Sequence, residues 1–299
     1  MNEKDCLMLQ YISEEQNLTK AAERLYITQP ALTYRLQQIE KEFGVPIFTK
    51  SSKGVKLTPE GEYLVAYAKK NLIDLRNTKD YLVNMRGEVK GNLRIGVFSY
   101  FGLHNLPPLL RNFINTYPNV QINVNTGWSD EIFELLVLED IHVAIVRGEF
   151  QWFDEKYLIN EGNICIISQE EIAIDSLPSL SRINYKVPKQ IGKSSGSYVQ
   201  SHSSLSRTIE DWWYERFKEP PIITMQVDTY ETCKEMVKNG LGYAIIPSIF
   251  VRPDDGLHVI NLVRNNGESI KRNTWMLYRE TSLQYTMVNR FVSYIKNLS

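Results

Sequence analysis

The sequence predicts a multidomain protein in which a small helical domain with a two-stranded ribbon precedes a long helix and a larger α/β domain. Three observations favour this fold class. Residues 1–58 carry short helical patterns separated by turn residues, and an uninterrupted helical pattern then runs from Pro59 to about Met85. Beyond residue 92, short apolar strands alternate with amphipathic helices. A chain of 299 residues has room for two or more domains of roughly 100–200 residues each.

The composition is that of an ordinary globular protein, with 43% hydrophobic and 23% charged residues. No apolar run reaches the roughly 20 residues of a membrane helix, and the N-terminus does not resemble a signal peptide. Cys6, Cys165 and Cys233 are scattered and lack metal-type spacing. We therefore expect a cytoplasmic protein with no membrane partner, metal site or cofactor.

The charge is distributed unevenly along the chain. The formal net charge is only -1, but residues 17–58 carry seven cations against three anions and are net +4. A local basic patch on a nearly neutral chain predicts DNA binding by one small domain.

The start of the third helix is the most specific local signal. Thr19 and Thr28 are predicted to cap the second and third helices, because a hydroxyl there accepts a free backbone N–H of the first turn. Pro30 fits the first turn of the third helix, which is expected to end at Phe43, before Gly44. The following segment VPIFTKSSKGVKLT predicts a ribbon around a turn at residues 51–54.

The third helix has one apolar face and one polar face. Leu32, Leu36 and Ile39 are expected to point into a core, and a helix in the major groove would present the opposite face to base edges. Gln37 could pair bidentately with adenine, whereas the flanking cations and the ribbon lysines would reach phosphates. The alternative is an ordinary surface helix. The predicted DNA-contacting residues are Thr19, Thr28, Gln29, Pro30, Thr33, Tyr34, Arg35, Gln37, Lys41, Lys50, Lys53 and Lys56.

The long helix carries an apolar seam at intervals of three, four or seven residues. Such a seam suits pairing with another helix. Its members are Leu64, Ala68, Leu72, Leu75, Leu82 and Met85.

The N-terminal segment resembles the DNA-binding domain of LysR-type transcriptional regulators. The resemblance continues through GNLRIG at 91–96 and ETCKEMVKNGLGYAIIP at 231–247. Tyr34, Gln37 and Lys50 depart from the family's usual residues, so the operator sequence does not carry over. The matching residues in the N-terminal segment are Thr19, Ala21, Ala22, Leu25, Thr28, Gln29, Pro30, Ala31, Leu32, Thr33, Leu36, Ile39, Glu40, Gly44, Phe48, Gly54, Val55, Leu57, Thr58 and Gly61.

The resemblance implies three parts: a winged helix-turn-helix domain, a dimerising linker helix, and a two-lobed effector domain similar to periplasmic binding proteins. We expect these parts at residues 1–58, 59–88 and 89–299. Lobe I is expected at 89–161 and 266–299, and lobe II at 162–265. The resemblance further implies homodimers or homotetramers on interrupted inverted repeats of promoter DNA.

The effector domain offers candidate ligand contacts at the carboxyl ends of strands and at helix starts, where ligands of such sheets bind. Arg147 ends an apolar strand and is the strongest candidate, since a guanidinium can hold a carboxylate or phosphate bidentately. Arg147 could equally form a structural pair with Glu149 or Asp130. For the candidate residues that carry a hydroxyl group, helix capping is the simpler role. The predicted effector-binding residues are Ser99, Tyr100, Thr126, Trp128, Ser129, Arg147, Ser203, Ser204 and Thr229.

These residues predict a small anionic effector, such as an organic acid. Its binding would shift the arrangement of the lobes, and with it DNA bending or contact with RNA polymerase.

The sequence argues against three other functions. The sequence has no nucleophile-elbow, zinc-protease or phosphate-loop motif, so no enzymatic activity is expected. A redox-responsive regulator would need Cys165 or Cys233 to be exposed with a lowered pKa, whereas core burial is the simpler expectation. A purely structural DNA-packaging protein does not account for a large α/β domain.

Overall fold

The computed structural model describes residues 1–51, 54–84, 89–186 and 200–298, without the side chains of residues 83, 84 and 200–204. The chain divides into two compact units, Met1–Glu88 and Val89–Ser299. Each unit is described by itself.

The first unit is helical and contains one ribbon. Its elements are α1 (Glu3–Glu15), α2 (Leu18–Arg24), α3 (Gln29–Phe43), β1 (Phe48–Ser51), β2 (Gly54–Leu57) and α4 (Pro59–Asn84). Leu9, Ile12, Leu32, Ile39 and Ile47 are fully buried in its core. The antiparallel pairing of β1 with β2 confirms the predicted ribbon.

The ends of α3 agree with the prediction, and the start of α2 does not. Thr28 caps α3, its Oγ1 accepting from the N–H of Ala31 at 3.4 Å, and Gly44 ends it in the left-handed region at φ 72°. Asn17, rather than Thr19, caps α2, because its Oδ1 accepts from the N–H groups of Thr19 and Lys20. Asn17 therefore takes the capping role that was predicted for Thr19, two residues further along the chain.

The first part of the α4 seam belongs to the core of its own unit. Leu64 and Ala68 are buried there, and Leu72 packs against the same core. This half of the seam therefore pairs with another helix, as predicted, and that helix is α1 of its own unit. Leu75 is half-buried and Leu82 is exposed, whereas Met85 lies outside the described residues.

Lobe I of the second unit is built on a mixed sheet. Its strands are β3 (Gly91–Phe98), β4 (Val120–Gly127), β5 (Val143–Arg147), β6 (Glu155–Asn160) and β12 (Thr274–Tyr278), in the order β4-β3-β5-β12-β6. Its helices are α5 (Ser99–His104), α6 (Leu106–Thr116), α7 (Ser129–Val137) and α10 (Thr286–Lys296). Leu93, Ile95, Phe113 and Phe291 are fully buried in its core.

Lobe II is inserted between β6 and β12 and also has a mixed sheet. Its strands are β7 (Ile164–Ser168), β8 (Ser181–Tyr185), β9 (Ile222–Val227), β10 (Tyr243–Pro247) and β11 (His258–Asn261), in the order β11-β7-β10-β8-β9. Its helices are α8 (Gln200–Tyr214) and α9 (Tyr230–Lys238). Trp212 and Trp213 of α8 lie in its core.

The expectation of parallel βαβ units holds for only part of each sheet. β3 pairs in parallel with β4 and β5, and β8 with β9 and β10. β12 pairs antiparallel with β5 and β6, and β7 pairs antiparallel with β10 and β11. The predicted lobe boundary at 265/266 is also too early, since Ile270 packs in the core of lobe II and Val263 bridges to Ser269.

Candidate DNA-reading face and effector site

The face of α3 opposite its buried leucines is open to solvent. Tyr34 and Gln37 are exposed, and so are Pro30 and Lys41 at the two ends of this face. Because Leu32, Leu36 and Ile39 are buried, the helix cannot rotate without breaking its core, and Gln37 must project outwards. The geometry is that of a helix available to a groove.

Two predicted contact residues bind one another. The amide Nε2 of Gln29 donates to the Oγ1 of Thr33 at 2.8 Å. This bond uses an acceptor site of the Thr33 oxygen and leaves the hydroxyl hydrogen able to donate to a base. The pair fixes Thr33 on the half-buried side of the face.

Arg35 is held by an ion pair within the unit. Its Nε and Nη2 donate to the two carboxylate oxygens of Asp5, each at 2.7 Å, and the Asp5 side chain is only 3% exposed. The hydrogen bond from Arg35 holds the pKa of the Asp5 carboxyl below its usual value. Arg35 therefore joins α1 to α3, and because its side chain is still 44% exposed, the expected phosphate contact remains a prediction.

The remaining predicted contacts of this unit lie at its surface. Thr19, Thr28, Lys41, Lys50 and Lys56 are exposed. Lys53 lies outside the described residues.

Arg147 is a buried cation with no counter-ion in the described ranges. It is 4% exposed, and within the described ranges its Nε, Nη1 and Nη2 have no hydrogen-bond partner. The alternative, a structural pair with Glu149 or Asp130, is not seen, since none of these nitrogens has a partner in that part of the chain, and Glu149 instead accepts from Lys156 and Trp275. The Arg147 side chain therefore retains its capacity to bind an anion.

A second buried guanidinium, that of Arg272, stands beside Arg147. In the described part of the chain, its Nε and Nη1 also lack a partner. Burial, and then the positive charge of Arg272, lower the pKa of Arg147 to about 9. Gly162 permits this packing, since a Cβ there would come within 2.6 Å of the Arg147 Nη2. Arg272 lies in an irregular segment between lobes, and no sequence signal pointed to it.

Aromatic side chains from both lobes form a continuous row of ring contacts near these arginines. Tyr100 of lobe I meets Phe250 of lobe II with ring centroids 4.6 Å apart, and Phe250 meets Tyr230 at 4.9 Å. Tyr230 stacks on Tyr185 at 4.1 Å. Tyr100 of lobe I and Tyr230 of lobe II both lie within electrostatic range of Arg147.

The other predicted effector residues have mixed placements. Ser129 does not cap α7; its Oγ instead accepts from the backbone N–H of Arg147 at 3.0 Å, and Trp128 occupies the cap position. Ser99 donates to the Gly127 carbonyl, Thr126 is exposed on the edge strand β4, and Thr229 caps α9 as predicted. The structure thus gathers Tyr100, Ser129 and Arg147.

The predicted serine contacts of lobe II are not helix caps. α8 begins at Gln200 rather than at Ser204, so Ser203 and Ser204 lie within the helix. Their side chains are outside the described residues.

The cysteines lie in environments opposite to those of a redox sensor. Cys6, Cys165 and Cys233 are all buried, and burial raises the pKa of Cys165 and of Cys233 to about 12. A thiol of that kind is protonated at neutral pH and unreactive, so the structure does not favour the redox alternative.

Neither a metal centre nor a membrane span is found among the described residues. No group of three His, Cys, Asp or Glu side chains there could hold a metal ion. No helix in those ranges is long and apolar enough to cross a bilayer.

Both units of the chain match known protein families. Residues 4–62 match the family model "Bacterial regulatory helix-turn-helix protein, lysR family", and residues 86–169 and 197–299 match "LysR substrate binding domain". The chain is 43% identical over 296 residues to the "Uncharacterized HTH-type transcriptional regulator YraN" of Bacillus subtilis (strain 168), covering 99% of this chain and 98% of that protein. YkuM, named in the same way and from the same organism, is 35% identical, with 97% and 95% covered.

Solved structures share the fold. CbnR, a LysR family transcriptional regulator, superposes with a TM-score of 0.63 at 20% identity, covering 99% of each chain. CbnR complexed with its target DNA gives a TM-score of 0.62 at 20% identity, covering 100% of each chain.

Proposed function

The chain belongs to the LysR family of bacterial DNA-binding transcriptional regulators, and we propose that a small organic anion held by Arg147 and Arg272 controls it. The single observation that carries this proposal is the buried pair of guanidiniums, neither of which has a carboxylate beside it in the described structure. An unpaired buried charge is costly, and a bound anion removes that cost while satisfying several N–H groups at once. Two adjacent guanidiniums favour a dicarboxylate or a similarly charged acid.

The position of the arginine pair suggests how binding is transmitted. Arg147 ends a strand of lobe I, whereas Tyr230 begins a helix of lobe II and lies within electrostatic range of the same guanidinium. An anion between them would favour one arrangement of the lobes by its greater affinity for that arrangement. In an oligomer on promoter DNA, such a shift would change DNA bending or contact with RNA polymerase.

The reading unit would work through α3 and the ribbon. We assign base contacts to Thr33, Tyr34 and Gln37, and backbone contacts to Lys41, Lys50 and Lys56. Two copies related through the exposed part of α4 would place two reading helices on an inverted repeat. The protein would act in the cytoplasm, where chromosomal DNA lies, and by binding rather than by catalysis.

Thermal unfolding with a panel of organic acids tests the effector assignment. We expect a dicarboxylate such as succinate or malate to raise the melting temperature of the wild-type protein and leave Arg147→Met unchanged. Without ligand, Arg147→Met should be at least as stable as the wild type, because it removes an unpaired buried charge.

Arg252→Met is the matched control, since Arg252 is exposed. It should respond to acids as the wild type does. If Arg147→Met kept the full response, or if the responding acids left promoter footprints unchanged, the effector assignment would be wrong.

A further inference from the structure

Lobe II contains a cavity of about 390 Å³ between α8 and the β8–β9 side of its sheet. That volume is within the range of small-molecule sites. Leu205, Ile209 and Trp213 line it from the helix, and Pro220 and Ile223 line it from the segment that enters β9. The walls combine apolar and aromatic side chains with polar ones.

Arg182 supplies the cationic part of this cavity. It is 7% exposed, and burial lowers the pKa of its guanidinium. Its Nε has no hydrogen-bond partner, and the guanidinium forms no ion pair, within the described ranges. The guanidinium carbon lies 5.9 Å from the centre of the Trp213 ring, at the edge of cation–π range. A buried guanidinium with no ion-pair partner among the described residues, facing a cavity with an apolar wall, is a candidate anchor for an anion.

Two further polar side chains define what could bind beside Arg182. Asn184 follows it on the same face of β8 and also lines the cavity, so its amide can donate to the same anion. Glu210 lines the cavity from α8 and is exposed. A single buried positive charge with a carboxylate nearby accepts one negative charge and repels a second.

From this arrangement we propose that lobe II carries a second ligand site, which takes a monocarboxylate with an apolar body. The carboxylate would lie on Arg182 and Asn184, and the apolar body against Trp213 and Pro220. The site does not rest on the effector assignment made above. Tyr230 lines this cavity and lies near Arg147 as well, so occupancy at each site can be measured against the other.

Isothermal titration of the full chain with phenylacetate tests the site, with phenylacetamide as its uncharged counterpart. We expect phenylacetate to bind and phenylacetamide to bind about tenfold to a hundredfold more weakly, as for loss of charge-assisted hydrogen bonds. Arg182→Met should weaken the binding of phenylacetate by a similar factor. Arg207→Met, at an exposed arginine of α8 that does not line the cavity, should bind phenylacetate like the wild type.

Two further variants keep the test independent of folding defects. Ile223→Trp fills the cavity without touching the charge and should abolish phenylacetate binding. Glu210→Gln should strengthen phenylacetate binding and admit the dianion phenylmalonate. Equal binding of phenylacetate and phenylacetamide would overturn the site, as would unchanged binding in Arg182→Met. Absence of binding by phenylacetate, 3-phenylpropionate and hexanoate alike would also overturn it.

Discussion

Gln37 is the residue on which sequence reading by this protein depends most directly. It is exposed on α3, opposite buried Leu36 and Ile39, and its amide can both donate and accept. If it pairs bidentately with a base, Gln37→Ala should weaken binding to the operator by about 1–3 kcal/mol and leave binding to random DNA nearly unchanged. Fluorescence anisotropy with both DNAs at one salt concentration measures the difference.

Lys56 provides the matched comparison for Gln37. It is exposed on the ribbon, where a contact to phosphate carries no sequence information. Lys56→Ala should weaken operator and random DNA alike and lower the dependence of log affinity on log salt by about one unit. If Gln37→Ala lost as much affinity for random DNA as for the operator, Gln37 would contact the DNA backbone, as Lys56 is expected to do.

The arginines of the effector unit illustrate what the sequence could predict at single positions. Arg147 was predicted because it ends an apolar strand, which is a local pattern. Arg272 was not, because it lies in an irregular segment and meets Arg147 only through the crossing of the chain near Gly162. Arg182 was not predicted either, since polar residues interrupt the apolar pattern of β8 and the strand itself was not recognised.

Elements whose limits depend on their own sequence were predicted well. α3 has a capping threonine, a proline in its first turn and a terminal glycine, and its limits agree with the prediction. β6 and β8 were not predicted, because their residues are only partly apolar and their place depends on neighbouring strands distant in sequence. The strand β12 was predicted, but its antiparallel direction was not, because the return of the chain from lobe II sets that direction.

The contact between α1 and α3 depends on the Asp5–Arg35 pair. The lowered pKa of Asp5 means that the pair stabilises the folded unit above the ordinary pKa of an aspartate, and that this stabilisation is lost as pH falls through the lowered pKa. Asp5→Asn should therefore speed hydrogen exchange of α3 amides at pH 7, by a factor equivalent to on the order of 1–3 kcal/mol. The difference in exchange rate between Asp5→Asn and the wild type should become smaller at acidic pH.

Glu3→Gln is the control for this exchange experiment, because Glu3 lies on the same helix and its pair with Lys79 is exposed. Surface pairs contribute little, so Glu3→Gln should exchange like the wild type at each pH. An Asp5→Asn variant with wild-type exchange at pH 7 would show that the pair does not hold α3.

In the whole molecule, the apolar seam of α4 has a buried part and a more exposed part. Leu64 and Ala68 are used by the core of the first unit, whereas Leu82 is 57% exposed and Leu75 half-buried. A charge at Leu82 would have to be buried in a helix pair, so Leu82→Glu should raise the dissociation constant of the dimer by about tenfold or more. Asn77→Glu adds the same charge on the opposite side of the helix and should have little effect. Sedimentation velocity at several concentrations measures both; equal association of the two variants would place the dimer contact elsewhere.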